Sequence, residues 1–114
     1  MVTTGFNTLL IEAKAIEVLR TIFDPEIPVN IYDLGLVYAV IVDPEVNEQG
    51  QHRVAVRMTL TSPTCPVAGT LPPEVEAKIG TIAEVSEAKV ELVWEPAWNP
   101  EMMSEEAKLM LNLY

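Results

Sequence analysis

One segment of this chain sets a thiol among hydroxyls where a strand runs out. In Met58-Thr-Leu-Thr-Ser-Pro-Thr-Cys65-Pro66 the only cysteine of the sequence follows Thr59 and Thr61 and lies between Pro63 and Pro66. A thiolate is both a nucleophile and a soft metal ligand. Thr59 and Thr61 share a face if the extended run continues, so their hydroxyls can hydrogen-bond a thiolate or hold a water. The amides of Val67, Ala68 and Gly69 favour negative charge nearby, although Pro72 cuts short any helix begun at Pro66. The competing use of a lone cysteine is packing as a small buried hydrophobe. Its loop position predicts that Cys65 is partly exposed and modestly reactive.

A second candidate is the acidic stretch DPEIPVNIYDLG, residues 24–35, which spreads Asp24, Glu26 and Asp33 around two prolines. The bland use of such acids is a solvated loop face, and Asp24 can also close a helix end. Close to Cys65 they would raise its pKa, which argues against a simple catalytic thiol. A cation reverses that penalty, so the same acids suit a site that receives metal. His52 stands alone beside a turn, expected exposed, and with no second histidine a His-based zinc site is not available. It lies at the opposite end of its strand from Cys65, about 25–30 Å away at ~3.3 Å per residue, too far to act as its base.

The elements that must position these residues follow from periodicity. Leu9, Ala13, Ile16, Leu19 and Phe23 recur at helical steps, with Asn7 or Thr8 as cap and Asp24-Pro25 as terminator. Leu36 to Val42 is an apolar run that predicts a strand covered on both faces, and Asp43-Pro44 opens a turn closed by Asn47 and Gly50. Val54, Val56, Met58 and Leu60 then alternate with Arg53, Ala55, Arg57 and Thr59, giving the return strand of an antiparallel hairpin. Pro72-Pro73-Glu74 starts a second helix with Val75 and Ile79 inward and Gly80 as its C′ residue. Lys89 to Trp94 reads as a third strand, with Trp94 in the core. EPAWNP (95–100) is a rigid loop, and Ser104 caps a last helix to about Leu111. The order α-β-β-α-β-α predicts one two-layer α/β (α+β) domain over residues 1–114, with residues 1–7 as a loosely ordered lead-in.

Composition narrows the function. The 114 residues are 49% hydrophobic, enough for one core, and seven basic against seventeen acidic residues leave a net charge of −10. That field repels nucleic acid and anionic membrane surfaces and allows a basic partner or a bound cation. A single cysteine excludes an internal disulfide. Residues 1–7 show no secretory pattern, and the longest apolar run is too short to span a bilayer, so a soluble cytoplasmic protein is expected.

Three blocks together, DPEIPVNIYDLGLVY (24–38), MTLTSPTCPVAG (58–69) and VELVWEPAWNPEMMSEEAK (90–108), carry a family resemblance. They resemble, in order, the small SUF-system iron–sulfur assembly proteins of the SufT-related, PaaD-like group. The resemblance implies an α/β fold with a small mixed three-stranded sheet and a role in maturing iron–sulfur proteins. It places the reactive cysteine on Cys65, the threonine pair on Thr59 and Thr61, and the acidic loop on Asp24, Glu26 and Asp33. Its implied partners are the SUF assembly machinery and apo iron–sulfur proteins, with a homodimer as one arrangement. The chain lacks the C-terminal cysteines common in PaaD-type members, which argues against the phenylacetate-oxygenase branch.

Clusters want about four thiolates, so one cysteine implies no stably bound cofactor but a transient iron or iron–sulfur cluster, with Cys65 as a transient ligand or a bridge between two chains. Two functions stand side by side. One is a non-enzymatic assembly factor that uses Cys65 for brief metal, cluster or partner contact. The other is a cysteine-dependent hydrolase or redox enzyme, which lacks a base partner. Both expect the acidic loop and the cysteine loop to converge at one end of the sheet.

Overall fold

The computed structural model describes residues 4–24, 27–61 and 69–111. Its elements are α1 (Thr4–Leu19), β1 (Val37–Val46), β2 (His52–Met58), α2 (Leu71–Ile79), β3 (Val85–Leu92) and α3 (Glu105–Met110), with a 3-10 turn at Pro100–Met102 before the last. The sheet order is β1-β2-β3. β1 and β2 pair antiparallel, as a short hairpin requires. β2 and β3 pair parallel, because the chain between them crosses over through α2. The sheet is therefore mixed and the fold α+β, with three helices.

β2 is the central strand and sets the layering. Val54, Val56 and Met58 are buried beneath the helices, whereas Arg53 and Arg57 are exposed on the far side. α1 packs on β1, α2 packs on β3, and the two helices touch. Ile11, Ala15 and Leu19 of α1 join Leu71, Val75 and Ile79 of α2 in that core. Truncating a fully buried side chain such as Leu19 would cost about 2–5 kcal/mol. Pro72 and Pro73 occupy the first turn of α2, where missing N–H groups cost nothing. Lower on that helix, Glu76 Oε2 accepts the N–H of Val90 at 2.9 Å, so a side chain occupies one donor on the free edge of β3.

Several elements depart from their sequence pattern. α1 begins at Thr4, ahead of the expected caps, and ends at Leu19 rather than Asp24. Its buried stripe is Ile11-Ala15-Leu19, whereas Leu9 and Phe23 are exposed. The helix is apolar on several sides, and docking on β1 selects the face. β1 runs through Asp43-Pro44 to Val46 with an irregular register after Val42, which an edge strand tolerates because a proline there forfeits no ladder bond. As an edge strand it is half-buried, not covered on both faces. β3 starts at Val85, four residues before the alternation becomes visible, and Trp94 stands 41% exposed beyond its end. Gly80 ends α2 with φ −63°, so it is not the left-handed residue expected.

Candidate functional site

The acidic segment is a folded turn. Ile31 N–H donates to the Ile22 carbonyl at 2.8 Å, and Phe23 bridges Asn30 antiparallel, which draws Ile22 and Phe23 against Asn30 and Ile31. Asp24, buried, accepts the Ile27 amide on Oδ1 at 3.2 Å. Asn30 accepts the Asp33 amide and donates through Nδ2 to Asp33 Oδ2, both at 2.8 Å. Arg20 sits 4.0 Å from Asp33 Oδ1 and lies over the Tyr32 ring at 5.0 Å. Asp24 thus has structural work holding a backbone amide of the loop, and Asp33 has it by accepting from the Asn30 side chain. Among the described residues no three His, Cys, Asp or Glu side chains gather as a metal site.

A second segment locks that turn from outside. Trp98 Nε1 donates to the Leu34 carbonyl at 2.7 Å, and the Ser104 amide donates to the Asp33 carbonyl at 2.8 Å. Tyr38 donates its hydroxyl to the Pro96 carbonyl at 2.7 Å and lies 3.5 Å from Met102 Sδ. Burial raises the Tyr38 pKa, which keeps the hydroxyl a donor. Gly35 has φ +84°, and a Cβ there would come within 2.4 Å of the Met102 carbonyl oxygen. Only glycine meets both demands. Ser104 also caps α3 by accepting the Ala107 amide at 3.2 Å, as its position predicts. Tyr38 and Gly35 are not among the candidate residues of the sequence, and Trp98 reads there only as a ring that stacks on Trp94 or covers the core edge. The one signal for them was the proline-rich EPAWNP loop around Trp98.

Pairing brings this locked turn beside the threonines. The Thr59 amide donates to the Leu36 carbonyl at 2.8 Å, one step beyond the Val37–Met58 pair. The acidic segment enters β1 where the Thr59–Thr61 segment leaves β2, so these two segments meet at one end of the sheet, and the rest of the cysteine loop expected there lies outside the described residues. Thr59 is fully buried, and its hydroxyl has no hydrogen-bond partner among the described residues. Leaving a buried hydroxyl unpaired costs about 1–3 kcal/mol, so such a group calls for an explanation. Leu60 is buried and Thr61 half-buried. Cys65 and Glu26 lie outside the described residues.

At the other end of β2, His52 is buried rather than exposed. Its Nδ1 lies 2.7 Å from the Asp43 carbonyl, and its amide donates to the Glu84 carbonyl at 2.7 Å. The irregular β1 backbone at Asp43 supplies the partner that lets the ring go inside. Seven residues separate it from Thr59, about 23 Å at ~3.3 Å per residue.

Comparison with known proteins places this geometry. Residues 12–92 match the model of a family described as iron–sulfur cluster assembly protein. The chain is 47% identical over 101 residues to an Fe-S protein maturation auxiliary factor of Porphyromonas gingivalis, covering 89% of this chain and 90% of that one. It is 38% identical over 92 residues to the Fe-S protein maturation auxiliary factor SufT of Staphylococcus aureus, covering 81% and 98%. A Bacillus anthracis crystal structure described as a domain of unknown function superposes with a TM-score of 0.81 at 35% identity, over 96% of this chain and 99% of that one. The Porphyromonas gingivalis and Staphylococcus aureus relatives carry the names of auxiliary factors and not of enzymes. No helix among the described residues is long and apolar enough to cross a membrane.

Proposed function

Because the chain belongs to the iron–sulfur cluster assembly protein family, we propose that it is a cytoplasmic maturation factor whose Cys65 meets iron or a cluster only in passing. The observation that carries this reading is the meeting of the two segments through the Leu36–Thr59 bond, with the Thr59 hydroxyl, which has no partner among the described residues, at the same end of the sheet. Cys65 follows Thr61 by four positions in the chain, so the thiol is tethered to that end. The iron is cargo, not a resident group. A thiolate supplies one soft ligand; the rest of a cluster's ligands come from a donor, a recipient or a second chain. Thr59 offers a hydrogen-bond donor to a sulfur or an oxygen that arrives during transfer. Asp24, Glu26 and Asp33 set a negative field that favours cation approach. The partners are SUF assembly components and apo iron–sulfur proteins.

The test is anaerobic reconstitution with iron and sulfide, followed by mixing with an apo-ferredoxin and a purified assembly scaffold. The expected outcome is iron or scaffold binding by the wild type and loss of transfer in Cys65→Ala, with the fold retained to within about 1 kcal/mol. In cells, Cys65→Ala lowers the activity of several unrelated iron–sulfur enzymes while their polypeptides persist. A chain that binds neither iron nor scaffold, in cells whose iron–sulfur enzymes stay fully active after the substitution, overturns the reading.

A further inference from the structure

The clasp over the acidic turn holds a reactive atom that the iron–sulfur reading leaves unused, the sulfur of Met102. Thioethers take up oxygen from hydroperoxides, and the sulfoxide that forms is polar where the thioether was not. The described methionines differ in what that change would meet. Met58 and Met103 are buried, which shields them from an oxidant in the folded chain. Met110, the last residue of α3, is 65% exposed. Met102 is half-buried, so an oxidant can reach it, and the Tyr38 hydroxyl lies 3.5 Å from its Sδ. Of these four, Met102 combines accessibility with a polar contact to its sulfur.

Tyr38 has a single hydroxyl proton and two acceptors for it. The Pro96 carbonyl holds it at 2.7 Å, and the thioether sulfur, a weak acceptor, competes little. Burial raises the Tyr38 pKa, so the proton stays on the hydroxyl. An oxygen bonded to Sδ would be a strong acceptor within reach of that same proton. The Tyr38–Pro96 bond helps tie the 96–104 segment to residues 33–38, together with Trp98 on Leu34 and Ser104 on Asp33. Met102 also supplies the carbonyl that lies against Gly35, so its side chain and the tightest point of the clasp belong to one residue.

We propose that Met102 is an oxidation site at which a hydroperoxide loosens this clasp. The sulfur lone pair attacks one peroxide oxygen, and the S–O bond forms as the O–O bond breaks. Sulfur is oxidised by two electrons, the peroxide is reduced, and the departing hydroxide takes the proton of the transferred hydroxyl to leave as water. The sulfoxide oxygen then draws the Tyr38 proton away from Pro96. The device requires neither Cys65 nor iron, so it stands or falls apart from the iron–sulfur reading.

The test treats the full chain with hydrogen peroxide, maps added oxygen to each methionine by peptide mass spectrometry and follows thermal unfolding. A Cys65→Ala background keeps thiol oxidation out of the result. Oxygen is expected on Met102 and Met110 but not on Met58 or Met103. The melting temperature should fall by about 4 °C, the shift that losing one hydrogen bond causes in a domain near this size. Met110→Leu should keep that fall and Met102→Leu should abolish it. A methionine sulfoxide reductase with dithiothreitol should restore the original value. Tyr38→Phe lacks the proton, so it should melt lower before treatment and lose less on oxidation than its parent. A folded chain in which Met102 takes up no oxygen, or takes it up without a fall in melting temperature, overturns the proposal. So does a Met102→Leu or Tyr38→Phe protein that loses as much on oxidation as its parent.

Discussion

The two ends of β2 each bury a polar side chain and provide for it differently. At the start, His52 is held by the Asp43 carbonyl on its ring and the Glu84 carbonyl on its amide. Just past the other end, Thr59 pairs its amide with Leu36 but leaves its hydroxyl without a partner among the described residues. A satisfied buried group stabilises a fold, and an unsatisfied one costs stability unless something outside the resting protein completes it. Among the described residues, the His52 end thus has its buried polar group satisfied on both ring and amide, and the Thr59 end has it satisfied on the amide alone.

Substitutions can break or sharpen that contrast. The largest effect is expected of Gly35→Ala, which strains a left-handed backbone and drives a Cβ into the Met102 carbonyl. A loss of about 2–4 kcal/mol in denaturant unfolding is predicted. His52→Ala removes a satisfied buried ring and should cost about 1–3 kcal/mol by the same measurement. Thr59→Val keeps the shape and removes a buried hydroxyl that has no partner among the described residues, so stability should hold or rise by up to about 1 kcal/mol, while the iron transfer proposed above should fall. A Thr59→Val protein as unstable as His52→Ala would erase the difference between the ends.

The smallest effect is electrostatic. Lys14 donates to Glu84 Oε2 at 2.7 Å and holds that carboxyl below the usual glutamate range. A depressed carboxyl contributes stability above its ordinary pKa and loses it as pH falls through the depressed value. Melting temperatures of the wild type and Lys14→Met should differ slightly near neutrality and converge in acid. A gap that widens on acidification would contradict the pair.

Much of this was legible because strong local rules applied. The alternation from Val54 to Met58 has a buried face and an outer one, and β2 follows it; at Thr59, expected on the outer face, the strand has ended and the side chain is buried. Pro72-Pro73 and Ser104 mark helix starts by chemistry that needs no tertiary context. The convergence of the acidic and threonine segments follows from antiparallel pairing alone. The misreadings occur where packing chooses. α1 carries apolar residues on several sides, so only its docking on β1 decides that Ile11 is buried and Leu9 is not. His52 reads as exposed because its partner is a backbone carbonyl supplied by a strand irregularity, which no residue type announces. The clasp by Tyr38, Trp98 and Ser104 joins positions some sixty or seventy apart in the chain, beyond the range of any periodicity.

Glu76 gives the sheet a chemistry of termination. A β-sheet can template its own extension, and an exposed edge is a growing end for any extended chain that meets it. With the Val90 N–H already taken by a carboxylate from α2, a chain arriving at β3 must first displace a charged group. The opposite edge is interrupted by Pro44, which has no N–H to offer. Each rim is thus short of one donor for such growth, the first because a side chain holds it and the second because a proline never carried it.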